Sequence, residues 1–498
     1  MLTTDVLLSW NLAYGVAGAV LIGVLLPTLL RLRLDVPGPS LARFTNMWYW
    51  WQMKRGNFQV TNLELHNKSG PIVQIAPEYF SISDPSALKT IYGHGTKFEK
   101  APWYSVWTSG KAKTNLFIEK SSSVHGALRR KVASMYSMSS LVSYEPFVDN
   151  CIALFKSRLR EKAISGELLD LAAWLQFYAF DVIGEITYGR QFGFLDKGSD
   201  IDGMMDSLDQ ILWFQTYLGL FLWLKPIGKY LFSLGSSSQN FFASFIIKNI
   251  AEAKKTADDA DEHISMSMTT KLVKAQRKDP GSLSDTELLM YTAGNIGAGS
   301  DTTAIGLSSV VYYLYRSPRV LRKLREELDA ANLSPRPAFK DVQKLPYLQA
   351  VLNESMRLHP GVGLPLFRTV PAGGAEVAGK FFPAGVHLGV NAWVLHQNPD
   401  IFGANPAEFR PERWIDADEN QARAMQQNFM SFGLGSRTCI GKNISLLEMN
   451  KLIPVLVQEF DFEFTPEVEK SWTVNNKWFV KPVGFQGRVR QRTDMAKV

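Results

Sequence analysis

A chain of 498 residues with 46% hydrophobic and 20% charged residues can bury a large core, which excludes a disordered or fibrous protein. Its formal charge of +7 arises from 54 basic and 47 acidic residues intermixed along the chain, without the basic stripe that nucleic-acid binding needs. Two cysteines far apart in sequence, Cys151 and Cys439, argue against a disulfide framework.

The chain begins with an uncharged run, Leu7 to Leu30, LLSWNLAYGVAGAVLIGVLLPTLL. As a helix it would span about 36 Å, enough to cross a hydrocarbon core. Arg31 and Arg33 follow it while only Asp5 precedes it. The positive-inside rule then predicts a single-pass anchor with the bulk of the chain in the cytoplasm. A cleaved signal peptide is the alternative, disfavoured by the length of the run and by the absence of Lys or Arg before it. DVPGPS, Asp35 to Ser40, is a stiff hinge because Pro37 and Pro39 fix their φ angles. It divides an anchor, residues 1–34, from one catalytic unit, residues 35–498, in which no repeat or long linker marks a further boundary.

PIVQIAPEYFSIS, Pro71 to Ser83, alternates as a half-buried strand pair would. From about residue 120 to about 360 the pattern is mostly helical. In SSSVHGALRRKVASMYS, His125 and Arg129 stand four apart on a helix, where they can neutralise carboxylates or form a solvated basic face with Arg130 and Lys131. Cys151 falls in an apolar helical pattern that predicts a buried thiol. ILWFQTYLGLFLWLKPIGKYLF, Ile211 to Phe232, is either a buried helix pair or an entrance dipping into a membrane.

Ser284 with Glu287 forms a capping box, and the helical pattern after it runs to Ser317, about 50 Å, before Pro318 ends it. Within it lies AGNIGAGSDTTA, where Gly294, Gly297 and Gly299 each cost a helix about 1 kcal/mol relative to Ala. Tight helix packing would explain the glycines but not the Asp301, Thr302 and Thr303 that follow. An acid and hydroxyls able to bond backwards along the helix, beside room for a ligand, suit proton delivery. Further on, NESMRLHP puts Glu354 and Arg357 at i, i+3, a pair that as an exposed contact would mean little. FRPERW adds Arg413, so that Glu354 can bridge two guanidinium groups. Short strands return between Phe367 and Asn391, and a helix is predicted from Ile444 to Gln458.

Cys439 lies in FMSFGLGSRTCIGKN, after a glycine-rich loop and just before that last helix. Arg437 and the N–H groups of a helix start would lower its pKa, and Gly433, Gly435 and Gly441 permit unusual φ values. With no second Cys or His nearby, a tetrahedral zinc site is unavailable. A single thiolate in a tight loop fits an axial ligand of haem iron, the alternative being a structural cysteine beside a turn.

Together these segments resemble the cytochrome P450 monooxygenases over essentially the whole chain after the anchor. FGLGSRTCIG matches the family's cysteine loop, with Phe432, Gly435, Arg437, Cys439 and Gly441 in register. AGSDTT matches the oxygen-activation helix, and ESMR and PERW the Glu354, Arg357, Arg413 network. The resemblance implies a mainly α fold with small β-sheets (α+β) behind one N-terminal transmembrane helix. It also implies haem b (iron protoporphyrin IX) with its iron on Cys439 and its propionates on His125, Arg129, Arg368 and Arg437. His125 stands where many members have Trp. Asp301 and Thr302 would deliver protons. GPIVQIAPEYFSISDP and IYGHGTKFEKAPWY are similar to the fungal microsomal branch that includes pisatin demethylase-like enzymes, which implies secondary metabolism or detoxification. Electrons would come from NADPH through a separate NADPH-cytochrome P450 reductase, with cytochrome b5 as a second donor, at the endoplasmic reticulum membrane. A hydrophobic small-molecule substrate would meet Phe98 to Val124, Leu208 to Phe232, the surroundings of Asn295 and Ala298, Val362 to Phe367 and Val474 to Phe479. Oxidative coupling, desaturation, isomerisation without oxygen insertion and haem carriage without turnover remain the competing readings.

Overall fold

The computed structural model describes residues 35–107, 114–228, 238–258 and 266–493. The apolar run from Leu7 to Leu30 lies outside them, and among the described residues no helix is long and apolar enough to cross a membrane.

Seven helices carry the argument: α1 (Ser122–Val132), α2 (Met138–Ser165), α3 (Leu171–Tyr188), α4 (Met204–Leu218), α5 (Asp285–Tyr315), α6 (Pro346–Leu358) and α7 (Lys442–Glu459). The long helix α5 starts as its sequence predicts. Ser284 Oγ accepts from the Glu287 N–H at 3.2 Å, and Glu287 Oε2 accepts from the Ser284 N–H at 2.9 Å, satisfying two donors that a helix start leaves open. It packs lengthwise against α3, which is apolar nearly all round and also packs on α2. One large apolar core runs through these helices and α6 and α7.

To one side lies a five-stranded sheet of β1 (Ile72–Ala76), β2 (Tyr79–Ile82), β3 (Glu99–Lys100), β4 (Arg368–Thr369) and β5 (His387–Val390). Their order is β1-β2-β5-β4-β3, with β2 and β5 parallel and the other neighbours antiparallel. The β1–β2 pair is buried on both faces, not half-buried. Val73 and Ile75 pack with Tyr49 and Phe58, while Phe80 and Ile82 join a second apolar cluster on Phe382 and Leu388. The polar residue that made the strand look amphipathic, Ser81, is buried too, bonded to Asn62 Nδ2 at 3.0 Å and His66 Nε2 at 2.8 Å.

A hairpin of β6 (Val474–Lys477) and β7 (Phe479–Pro482) reaches from the C-terminal part to α5. Its turn holds Trp478 at φ +84°, a region that a bulky side chain rarely occupies. The stretch from Ile211 is helical on both sides of a short break as far as it is described: α4 ends at Leu218, a 3-10 turn follows at Leu222–Leu224, and residues 225–228 are helical again. Leu212, Tyr217, Leu218 and Leu220 are buried, whereas Trp213, Trp223 and Ile227 are exposed. Residues 229–232 lie outside the described residues.

Candidate active site

The cysteine loop is shaped by two left-handed glycines. Gly433 and Gly435 have φ of +67° and +63°, and a Cβ on Gly435 would stand 1.8 Å from the Tyr92 carbonyl oxygen, so only glycine lets the loop rest there. Gly441 has an ordinary φ of −82°, contrary to expectation; a Cβ there would lie 3.9 Å from Cys439 Sγ. The Cys439 N–H donates to the Phe432 carbonyl at 2.8 Å and closes the loop.

Cys151 is buried in the core, whereas Cys439 is exposed. Desolvation is nonetheless the main influence on the Cys439 thiol, which it pushes up, so the sulfur faces a recess walled by protein. The N–H groups of Gly441 and Lys442 and the charges of Arg129 and Lys442 oppose that shift. Arg437, expected to act on the thiol, does not face it. Its guanidinium is turned to the carbonyls of Glu119 and Lys120, the latter at 2.7 Å.

Around that recess five basic side chains converge. His125 turns inward from α1 while Arg130 and Lys131 of the same helix point out. Burial, and then Arg437, Lys100, Arg129 and Arg368, hold its ring neutral, with the pKa lowered to about 3. Arg129 donates to the Thr438 carbonyl at 2.8 Å, and Arg368 donates to the Phe367 carbonyl at 2.9 Å with its guanidinium over the Tyr92 ring. Lys100 is the member that the sequence reading missed. It pairs directly across from Arg368 in the β3–β4 ladder, is buried, and lies over the rings of Tyr104 and Phe117 at 4.6 and 4.2 Å. Burial, Arg368 and Arg437 push its amine well below the usual lysine range. Glu119 and Glu99 act on Arg437 from a distance, but none of the five forms an ion pair among the described residues. Like charges directly across a strand pair repel, and burial sharpens that repulsion. A group bringing two carboxylates would relieve it.

The third wall is α5. In its central turns Gly294 and Ala298 are exposed and Thr302 half-buried, each four after the last and so on one face, while a Cβ on Gly306, the next in that row, would stand 3.2 Å from Met449 Sδ. A Cβ on Gly294 or Gly297 would meet nothing within 4 Å, whereas one on Gly299 would stand 3.0 Å from Ile183. Tight packing therefore explains Gly299 alone. Thr302 Oγ1 donates back to the Ala298 carbonyl at 2.6 Å, and Thr303 Oγ1 meets Ser445 Oγ of α7 at 3.0 Å, tying α5 to the cysteine helix. Asp301 points the other way, fully buried. Its Oδ1 accepts from Gln176 of α3 and from Lys481 of β7, the latter at 2.9 Å, while Oδ2 has no hydrogen-bond partner among the described residues. Burial raises its pKa and Lys481 opposes the rise.

Behind the loop, Glu354 and Arg357 are completely buried and bidentate, with both N–O distances 2.8 Å. Arg413 Nε joins at 2.7 Å, the Arg410 N–H at 3.0 Å and Trp414 Nε1 at 2.9 Å. The i, i+3 pair is thus no exposed contact; the sequence spacing could not show that the Pro411–Trp414 turn covers it.

A lone thiol, five clustered basic groups with no ion-pair partner among the described residues and an open stretch of α5 suit a metal-bearing cofactor that brings carboxylates. The chain belongs to the cytochrome P450 family, whose model matches residues 37–486, and that family holds haem b through a cysteine thiolate. It is 39% identical over 456 residues to the pisatin demethylase of Fusarium vanettenii, covering 90% of this chain and 87% of the relative. A cytochrome P450 monooxygenase of Aspergillus terreus is 37% identical, with 88% and 92% covered, and cicH, a cytochrome P450 monooxygenase of Emericella nidulans, is 34% identical, with 94% and 96% covered. The chain is accordingly an oxidoreductase that incorporates oxygen.

Proposed function

We propose that the protein inserts one atom of molecular oxygen into an apolar small molecule of fungal secondary metabolism. The observation that carries this reading is the convergence of the five basic side chains on the recess of Cys439. Cys439 would hold the haem iron, and His125, Arg129, Arg368, Arg437 and Lys100 its two propionates, with Phe432 and Gly441 shaping the loop. What haem supplies there is reductive activation of oxygen. The chain's own residues do the rest. Two N–H groups and Arg129 stabilise the sulfur as thiolate. Thr302, on the open face of α5, offers a hydroxyl beside the reacting position, and Asp301 one residue away is the acid from which protons reach that face. Glu354, Arg357 and Arg413 hold α6 against the turn that leads to the loop.

Electrons come from NADPH through a separate flavoprotein reductase, with cytochrome b5 as a second donor. Residues 7–30 anchor the chain in the endoplasmic reticulum membrane with the globule on the cytoplasmic side, as the flanking arginines imply. Exposed Trp213, Trp223 and Ile227 near α4 favour a substrate that arrives from an apolar phase. The test is the spectrum of the reduced, carbon-monoxide-treated protein, combined with oxygen-dependent NADPH consumption in the presence of reductase. Wild type should show the red-shifted Soret band of thiolate ligation and Cys439→Ser should lose it. An unchanged band in the variant would overturn the assignment.

A further inference from the structure

Asp301 is bound by a cation that comes from neither its own helix nor the one it packs on. Lys481 Nζ of β7 stands 2.9 Å from Asp301 Oδ1 and 2.5 Å from Asp209 Oδ1 of α4. The three groups run from inside outward. The Asp301 side chain is 0% exposed, that of Lys481 19% and that of Asp209 39%. They also belong to three separate elements, α5, β7 and α4, brought together here.

Each neighbour of Asp301 can be weighed by its charge. α3 presents only the amide of Gln176, α4 presents the carboxylate of Asp209, which disfavours a second negative charge, and β7 presents Lys481. Among the described residues Asp301 Oδ2 has no donor. A carboxylate buried with one amide and a nearby like charge would take up a proton. Lys481, 2.9 Å away, is the cation that opposes this proton uptake. The two carboxylates in turn hold the Lys481 amine protonated against its burial.

The hairpin that carries Lys481 is fixed to the body. The Gly363 N–H donates to the Trp478 carbonyl at 2.9 Å and the Val480 N–H to the Gly361 carbonyl at 3.0 Å. Thr216 of α4 reaches the Lys477 carbonyl at 3.4 Å, a second link between α4 and the hairpin. Any displacement of α4 relative to β7 pulls on Lys481 from the Asp209 side.

We propose that Lys481 is a positioning residue that tethers Asp301, in its ionised form, to Asp209 on α4, so that the placement of α4 sets the charge of the acid in the middle of α5. For its consequence in turnover, the inference rests on the reading of Asp301 as the proton-delivering acid. α4 lies in the stretch assigned to substrate contact, so a substrate that shifts α4 would alter the hold on Asp301.

The experiment uses the holoenzyme and follows the carboxyl region of the infrared spectrum through a pH titration, alongside the pH profile of product formed per NADPH consumed. Lys481→Met keeps an unbranched apolar stem and removes the ammonium group and its charge. It should gain the band of one protonated buried carboxyl at neutral pH, absent from wild type and from the Lys481→Met/Asp301→Asn double variant. Lys481→Arg should restore the wild-type spectrum and profile. A Lys481→Met spectrum identical to wild type, or an extra band that survives in the double variant, overturns the proposal. Should Lys481→Met fail to accumulate with haem, Asp209→Asn decides. Removing that negative charge should move the Asp301 titration to lower pH, and no movement overturns the tether. Asp301→Asn with unchanged coupled turnover would end the proton-delivery reading while leaving the infrared result standing, so the two failures are distinguishable.

Discussion

Two clusters of buried and half-buried basic side chains lie near the cysteine loop, and they solve the same electrostatic problem differently. In one, Arg357 and Arg413 are buried on a single carboxylate, Glu354, with their remaining donors on the carbonyls of His396, Phe402 and Glu408. In the other, His125, Arg129, Arg368, Arg437 and Lys100 crowd together and, among the described residues, meet main-chain carbonyls, aromatic faces and the Tyr104 hydroxyl but no carboxylate in an ion pair. A complete network serves the fold. An incomplete one, held in place by a fold that gains nothing from it, marks where a ligand supplies the missing charge.

Breaking the complete cluster should cost most. Glu354→Ala would leave two guanidinium groups buried without a counter-charge, a loss of about 3–5 kcal/mol. We expect little soluble holoprotein, and for what folds, a denaturant midpoint far below that of wild type with an unchanged slope. Acid attacks the same region next. His396 Nδ1–H donates to the Arg357 carbonyl and Nε2 accepts from the Met430 N–H, so its ring is neutral, with a pKa lowered to about 3 by burial. His359 accepts from Trp472 Nε1 at Nδ1 and donates to the Val480 carbonyl from Nε2, and its pKa is lowered to about 4. Folded values below the unfolded one mean that this stability is complete above about pH 6.5. It is lost as pH falls toward 4, at about 1.4 kcal/mol per pH unit for each ring. Urea midpoints measured across that window should fall steadily, and the slope should be shallower in His359→Gln.

The incomplete cluster should answer in the opposite sense. Lys100→Met removes a buried amine set against the charges of Arg368 and Arg437, so the haem-depleted chain should be as stable as wild type or more so. The holoprotein should lose haem faster, by about 10- to 100-fold, as expected for one charge-assisted hydrogen bond of about 1.5–3 kcal/mol. Haem transfer to an acceptor globin measures the second effect and urea unfolding of the depleted chain the first. Loss of stability in both states would make Lys100 a structural cation like Arg357.

The incomplete cluster is also the one that sequence reading reached least fully. The cysteine loop, the long helix with its capping box and the Glu354 network were legible because each is local. Spacing within one short segment, or two segments joined by one carboxylate, carries the information. Lys100 was not legible, since its role comes from lying opposite Arg368 in a two-residue strand pair, a partnership between residues far apart in sequence. The same holds for Lys481, which nothing in its own hairpin marks out. The expected action of Arg437 on Cys439 failed for a related reason. Two residues apart in a loop bent by left-handed glycines, the side chains leave in different directions. Burial on both sheet faces escaped as well, because Ser81 looks like a surface residue until Asn62 and His66 are brought to it.

The smallest test repeats the comparison within one helix. Gly299 meets the protein, since a Cβ there would stand 3.0 and 3.1 Å from Ile183, while Gly294 meets nothing within 4 Å and lies on the open face with Ala298 and Thr302. Alanine is favoured over glycine in a helix interior by about 0.5–1 kcal/mol. Gly294→Ala should therefore stabilise the haem-depleted chain by about that free energy, read as a higher urea midpoint at unchanged slope. Gly299→Ala should gain less or lose, because Ile183 must give way by a few tenths of an ångström on a helix packed along its whole length. If both variants are stabilised equally, α3 yields freely and packing explains neither glycine. If Gly294→Ala is destabilising, its face is covered by protein, and the open stripe that places Thr302 at the reacting position loses its support.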